Sequence, residues 1–447
     1  AAERAYAAAV DLWPEDDPER AMLLFQYGRS LWLHRDVGLD VLAQARDALL
    51  ATGDVETAAV AELLLGDMVW RLGKGKEAQD HFDHAEALIE GRPPSIDVGL
   101  AKAHLARYLM VTSRSADAIR VGREALAVGD ALGAEDIRTF ALNSIGTARI
   151  NLGDLDGFGD IENSIEVAER ANLPWHIGRG NVNLGVSHFY AGDMRRALEV
   201  HERNLVYVRR IGMEGGIIWS KAEVAFDLFL IGRWDESLEI LDAEIARMEA
   251  GAPHYLEVQH RQTRARIRLG RGDPEGALVD AERGVEVGRS ARDAQALLPT
   301  LAEHGRVLFL MGRTEEAVGP IQEILDGLDP APMMDWSWWI VPAAIVLSHV
   351  GRADEILELG GQELPSRWIR AARLWASGDL ARAADVFDEI GSAPDEAHAR
   401  VREAERLVAA GQRAEAEPYL SRALELYRQM GATVFIRQAE RLLAPPA

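Results

Sequence analysis

Apolar and small residues recur along this chain at helical spacing, interrupted at regular intervals by Gly. Four segments align without gaps: "GVSHFYAGDMRRAL", "AFDLFLIGRWDESL", "ARIRLGRGDPEGAL" and "GRVLFLMGRTEEAV". They begin at Gly185, Ala225, Ala265 and Gly305, forty residues apart. Extending that frame places turns at Gly73, Ser113, Gly153, Gly192, Gly232, Gly272, Gly312, Gly351, Gly378 and Gly411, the last two intervals shrinking to 27 and 33. A poorer copy turns near Arg35. Around each turn the apolar positions follow the helical period, as in "EEAVGPIQEIL", so each unit predicts two helices. No strand-period segment with hairpin turns occurs.

Small residues hold fixed places beside the turns. Seven before them stand Gly66, Ala106, Gly146, Gly185, Ala225, Ala265, Gly305, Ala344, Ala371 and Ala404. Five after them stand Ala78, Ala118, Ala197, Ser237, Ala277, Ala317, Ala383 and Ala416, with Phe158 and Ile356 as exceptions. Small side chains let two helix backbones approach closely. Pro and Gly collect between units in "EGRPPS", "ANLPW", "GAPHY", "LDPAPMM", "QELPSRW" and "SAPDEA", where one helix ends and the next begins.

The small–turn–small spacing in "LGDMVWRLGKGKEAQDHFDHAEAL" resembles the tetratricopeptide repeat. Gly66, Gly73, Ala78, Phe82 and Ala85 stand where that family's signature has them. The resemblance spans nearly the whole chain. The period exceeds the family's usual 34 and looks like the longer variant found in bacterial signalling ATPases and peptide sensors. The flanks "DLWPEDDPERAMLLFQYGRSLWL" and "LSRALELYRQMGATVFIRQAERLLA" resemble the ends of the repeat array that follows a nucleotide-cyclase or DNA-binding domain and a P-loop ATPase in large bacterial regulators. The resemblance implies an all-α solenoid of about eleven stacked antiparallel helical hairpins in a right-handed superhelix. Layers about 10 Å thick would lie with first helices inward. The expected division is a forty-residue-repeat solenoid over 1–360 and shorter repeats with a capping helix over 361–447.

The net charge of −23 and the lack of any Lys/Arg-rich stretch argue against a nucleic-acid or anionic-membrane surface. The chain has no Cys, which excludes disulfides, thiolate metal sites and a Cys nucleophile. It opens without a secretory signal pattern, and runs such as "IVPAAIVL" are too short to span a bilayer. A cytoplasmic location is expected. The absence of an initiating Met suggests a segment of a longer polypeptide.

Catalytic and metal motifs are weak. "RLGKGKEA" lacks the first Gly and the final hydroxyl of a P-loop and sits on a repeat turn. "GRGNVNLG" has no preceding strand. His81 and His84 share a helix face with spacing suited to a metal, but Phe82 and Ala85 take the packing positions, which turns both His toward solvent. No nucleophile, base and orienting group converge. The expectation is no enzyme, no cofactor and no metal.

A binding role would then rest on the inner face. Trp32, Trp70, Phe189, Phe229, Phe309 and Trp375 stand three before their turns and read as layer packing rather than a ligand ladder. In "MMDWSWWIVPAA", Trp339 reads as core and Trp336 as a helix-start cap. Trp338 takes an inner-face position that Trp219 also occupies in its own unit. Asn143, Thr147 and Asn151 recur every four residues as a polar stripe. Arg107, Arg179, Asn183, Tyr190, Gln259, Gln262, Arg266 and Arg306 complete the groove candidates. Their Arg and Asn side chains suit carboxylates and peptide groups, or pair with carboxylates of neighbouring helices. The leading expectation is a non-catalytic sensing or scaffolding module. It would bind a peptide, a protein or a small effector in a concave groove and regulate an attached upstream ATPase, cyclase or output domain. A free-standing adaptor that assembles complexes is the rival, and an enzyme with an unrecognised site the third.

Overall fold

A computed structural model describes residues 2–14, 17–35, 37–328, 333–359 and 364–443. The expected boundary at 360, and parts of "LDPAPMM" and "QELPSRW", lie outside them. Every regular element among the described residues is a helix.

After a leading helix α1 (Ala2–Leu12), the helices pair as hairpins. These are α2 (Glu19–Arg35) with α3 (Leu39–Thr52), α4 (Val55–Arg71) with α5 (Gly75–Ile89), α6 (Ile96–Val111) with α7 (Ser115–Leu132), and α8 (Glu135–Asn151) with α9 (Gly157–Arg170). There follow α10 (Pro174–Ala191) with α11 (Met194–Ile211), α12 (Glu214–Leu230) with α13 (Trp234–Glu249), and α14 (Glu257–Arg271) with α15 (Pro274–Ala291). The series continues with α16 (Ala294–Leu310) and α17 (Thr314–Gly327), α18 (Ile340–His349) and the short α19 (Ala353–Glu358), α20 (Arg367–Ala376) and α21 (Leu380–Ile390), and α22 (Ala393–Ala409) and α23 (Arg413–Met430). Helix α24 (Thr433–Leu443) closes it, and a 3-10 turn, Met334–Trp338, precedes α18. No helix among the described residues is long and apolar enough to cross a membrane.

All ten turn positions of the forty-residue frame have positive φ, from 61° at Ser113 to 94° at Gly272. That backbone ends the first helix of a hairpin and turns the chain into the second, and only Ser113 carries a side chain there. The small positions work as close-approach points. A Cβ built on Gly146 would lie 2.6 Å from the Gly157 carbonyl oxygen, and one on Gly157 2.4 Å from that of Gly146. This explains the Phe158 exception: α9 begins at Gly157, so the small residue falls one place earlier than the frame predicts. Ile356, the other exception, is fully buried on the six-residue α19.

The chain divides into two compact units. The first comprises Ala1–Leu184, Glu202–Ser220 and Ser290–Ala294; the second comprises Gly185–His201, Lys221–Arg289 and Gln295–Ala447. In the first unit, α4 buries every residue from Thr57 to Arg71, while its partner α5 buries only the stripe Ala78, Phe82, Ala85 and Ile89. Helices α6 and α8 likewise bury most of their length. The same contrast holds in the second unit between α22 and α23. Polar residues on these enclosed first helices must therefore find partners inside the protein.

Candidate ligand-binding site

In the first unit the enclosed polar residues form rungs between neighbouring hairpins. Asp67 is the hub. Trp32 Nε1 and Arg71 Nε each donate to its Oδ2 at 2.9 Å, and Arg107 donates to its Oδ1. Burial opposes its negative charge, but Arg107 and Arg71 hold the carboxyl well below its usual range. The Arg107 guanidinium also lies over Trp70, 5.4 Å from the ring centre, and Trp219 stacks on Trp70 at 6.1 Å.

The predicted polar stripe is enclosed as well. Asn143 donates to Ser164 at 3.4 Å and accepts from Asn183 at 2.6 Å. Thr147 returns its hydroxyl to the Asn143 carbonyl at 2.9 Å, and Asn151 donates to Ser115 at 3.5 Å. Arg179 differs from Arg107. It donates to Ser144 Oγ at 2.9 Å, covers the Phe140 ring at 4.6 Å and has no carboxylate partner among the described residues. His84 is exposed as expected, while His81 is half-buried. Both turn onto the buried Glu62, their Nδ1 atoms 2.5 Å and 3.0 Å from its oxygens, and Arg46 joins at 3.1 Å. The physical reason is that the Glu62 carboxylate on α4 is buried beneath α5, so its oxygens take the nearest polar groups there as partners.

The second unit holds a cavity. Tyr190 is buried, and its carbonyl accepts from Ser337 and Ser366 at 3.2 Å and 2.8 Å. Trp338 packs 4.4 Å from Phe189 and 4.9 Å from Phe226. Trp336 and Trp339 are buried in the core, 5.4 Å apart. Gln259 donates to Glu223 at 3.2 Å. Arg266 and Arg306 both donate to Asp395 Oδ1, at 2.9 Å and 2.7 Å, and Ser392 donates to its Oδ2 at 2.6 Å. Burial opposes the Asp395 charge, yet the two guanidiniums hold the carboxyl well below the usual range. Glu303 reaches Arg266 at 3.5 Å.

Around this cluster lie two spaces that share Arg266 and Arg306. One is a void of about 30 Å³ that Gln262, Glu303, Trp338 and Asp395 also line. The other is a cavity of about 430 Å³, within the range of small-ligand sites. Its apolar walls include Trp234, Leu269, Val307, Phe309, Leu310, Val401, Phe435 and Leu442. Its polar lining is Arg266, Arg306, Arg402, Arg441, His398, Glu405, Tyr427 and Gln438. Arg402 pairs with Glu405 at 2.6 Å. Burial pushes the His398 imidazole down to about 3, so it is neutral. Burial also raises the Tyr427 hydroxyl, which keeps its proton.

Among the described residues, neither the Tyr427 hydroxyl nor the His398 ring makes a hydrogen bond. Arg306 Nε, Glu303 Oε2 and Gln262 Oε1 are buried without partners. Buried polar atoms rarely stay without partners; Arg306 Nε is an unmatched donor, while Glu303 Oε2 and Gln262 Oε1 are unmatched acceptors on residues that line the smaller void. Arg266, Arg306 and Gln262 were legible as inner-face residues. Asp67, Asp395, His398 and Tyr427 were not singled out, although Ser392–x–x–Asp395 at the start of α22 carries the spacing of a capping pair.

The fold is thus an all-α array of helical hairpins. No protein-family model matches the chain, and no curated protein does. Among solved structures, the chain is similar to a signal-transduction ATPase with numerous domains and a tetratricopeptide-repeat sensor, from Pyrococcus horikoshii. That match has 14% identity and a TM-score of 0.45, and covers 88% of this chain and 65% of that one. The apo quorum sensor NprR from B. thuringiensis matches at 12% identity and TM-score 0.43, covering 82% and 97%. A Rap protein complexed with competence and sporulation factor matches at 12% identity and TM-score 0.42, covering 93% and 99%.

Proposed function

We propose that this chain is a non-catalytic sensing module that binds an effector in the cavity of its second unit and passes the result to an attached output domain, such as an ATPase, a cyclase or a transcriptional regulator. The observation that carries this reading is the cavity of about 430 Å³ whose Arg306, His398 and Tyr427 donors lack acceptors. A packed repeat has no structural need for such a space, since empty volume costs stability. The resemblance of the terminal flanks to the repeat arrays of large bacterial regulators supports the attached domain. Binding would act by favouring one arrangement of the closing hairpins over another.

Thermal-shift screening of small effectors and short peptides tests this, with wild type compared against Leu310→Trp, which fills the cavity. The reading expects at least one compound to raise the melting temperature of wild type and not of the filled variant. Equal shifts in both proteins, or none in wild type, would overturn it.

A further inference from the structure

We infer that the effector is a small amphipathic carboxylate, its anionic end among Arg306, His398 and Tyr427 and its apolar body against Trp234, Phe309 and Phe435. This deepens the reading above and rests on it.

Charge and hydrogen bonding select the ligand class. Four Arg side chains line the cavity. Asp395 and Glu303 offset Arg266 and Arg306, and Glu405 offsets Arg402. Arg441, exposed on α24, has no ion pair among the described residues. Four cations against three carboxylates leave one positive charge, which a monoanion balances and a phosphate dianion exceeds.

The residues that line the cavity carry three open donors. Tyr427 keeps its hydroxyl proton, Arg306 Nε is unused, and His398 is neutral and able to donate. A carboxylate offers two acceptor oxygens with about four lone-pair directions, enough for all three. An apolar ligand would leave these donors dry and without acceptors, which disfavours it. A cation would meet the guanidiniums.

The walls select the body. Trp234, Phe309 and Phe435 present rings to the same space, and aromatic faces favour a flat or chain-like hydrocarbon. The volume suits a compact molecule. Helix α24 supplies the least buried wall: of its residues only Ala439 is fully covered, and Phe435, Gln438, Arg441 and Leu442 all border the cavity.

Isothermal calorimetry on the intact chain tests the inference with three probes of one shape: 2-naphthoate, 2-naphthalenemethanol and 2-naphthylmethylammonium. The expected result is one site for naphthoate, bound at least tenfold more tightly than either other probe. Tyr427→Phe should weaken naphthoate about tenfold, the loss of one hydrogen bond to a charged acceptor, and leave the alcohol unchanged. Its melting temperature should match wild type, because the hydroxyl has no protein partner to lose.

If the alcohol binds as tightly as the carboxylate, the anion assignment falls while the cavity reading stands. If naphthoate binds Leu310→Trp as well as wild type, it sits elsewhere and the inference fails. If no probe binds wild type, the carboxylate is not the effector class, and the wider screen above decides whether the cavity binds anything.

Discussion

His201 Nδ1 lies 2.7 Å from Asp227 Oδ2, and both side chains are about 1% exposed. The pair fixes the imidazole against Gly185. A Cβ built on that glycine would stand 2.1 Å from His201 Nε2. The small residue seven places before the turn is therefore set here by a ring, where Gly146 and Gly305 meet the facing backbone instead.

Gly185→Ala should accordingly destabilise the protein even though alanine is the better helix former. The ring cannot swing aside without leaving Asp227. Overpacking of this kind costs about 1–3 kcal/mol, more than the gain of under 1 kcal/mol from helix propensity. Urea denaturation should show a lower midpoint. A midpoint equal to or above wild type would mean the His201 ring is free to move.

Glu223 makes stability depend on pH. Burial raises its carboxyl from 4.5 to about 7, with the Asp227 charge adding to the rise and His201 and Gln259 opposing it. Between these values the folded chain holds a proton that the unfolded chain has released. Stability from this group therefore falls as pH rises from about 4.5 to about 7. Ionising it at pH 8 costs on the order of 3 kcal/mol. Glu223→Gln should be more stable than wild type at pH 8 and close to it at pH 5, measured by denaturant titration. Parallel curves at both pH values would show that Glu223 is charged in the fold.

The hairpins were legible because each is a local device: a positive-φ turn with small residues at fixed distances on either side. All ten turn positions have the positive φ, and the miss at Phe158 came from a small residue, Gly157, that falls one place early after an in-phase turn at Gly153. The inner face was less legible because a helical period describes one helix at a time. The spacing placed Asn143 and Arg107 inward, but their partners Asn183 and Asp67 lie forty residues away at the equivalent place in the neighbouring hairpin. Asp395 is 129 residues from Arg266. Sequence periodicity shows which way a side chain points, not what waits there. The cavity was invisible for the same reason, since six helices from distant parts of the chain supply its walls.

Ser113 is the member of the turn frame with a side chain in the left-handed region, at φ 61°. L-residues incur about 1–2 kcal/mol there, partly offset by the greater freedom glycine gives the unfolded chain. Ser113→Gly should therefore raise stability modestly, by about 0.5–1 kcal/mol. An unchanged or lower melting temperature would show that the Ser113 side chain contributes more than its backbone strain costs.

Asp395 anchors two guanidiniums, each on a different helix, from the start of α22. Asp395→Asn keeps the shape and removes the charge, leaving Arg266 and Arg306 to repel each other in a buried space. Breaking such a pair costs about 3–5 kcal/mol. The sign with pH is the reverse of that for Glu223. Asp395 has a folded value below its ordinary 3.8, so its contribution is complete above about pH 4 and is lost as pH falls through the folded value. The gap between wild type and Asp395→Asn should be widest near pH 7 and narrow steadily in acid. Circular dichroism melts at pH 7 and pH 2.5 measure it. A gap that stays constant would mean the asparagine loses packing or hydrogen bonds rather than charge, and the two arginines would then hold their positions without a counter-ion.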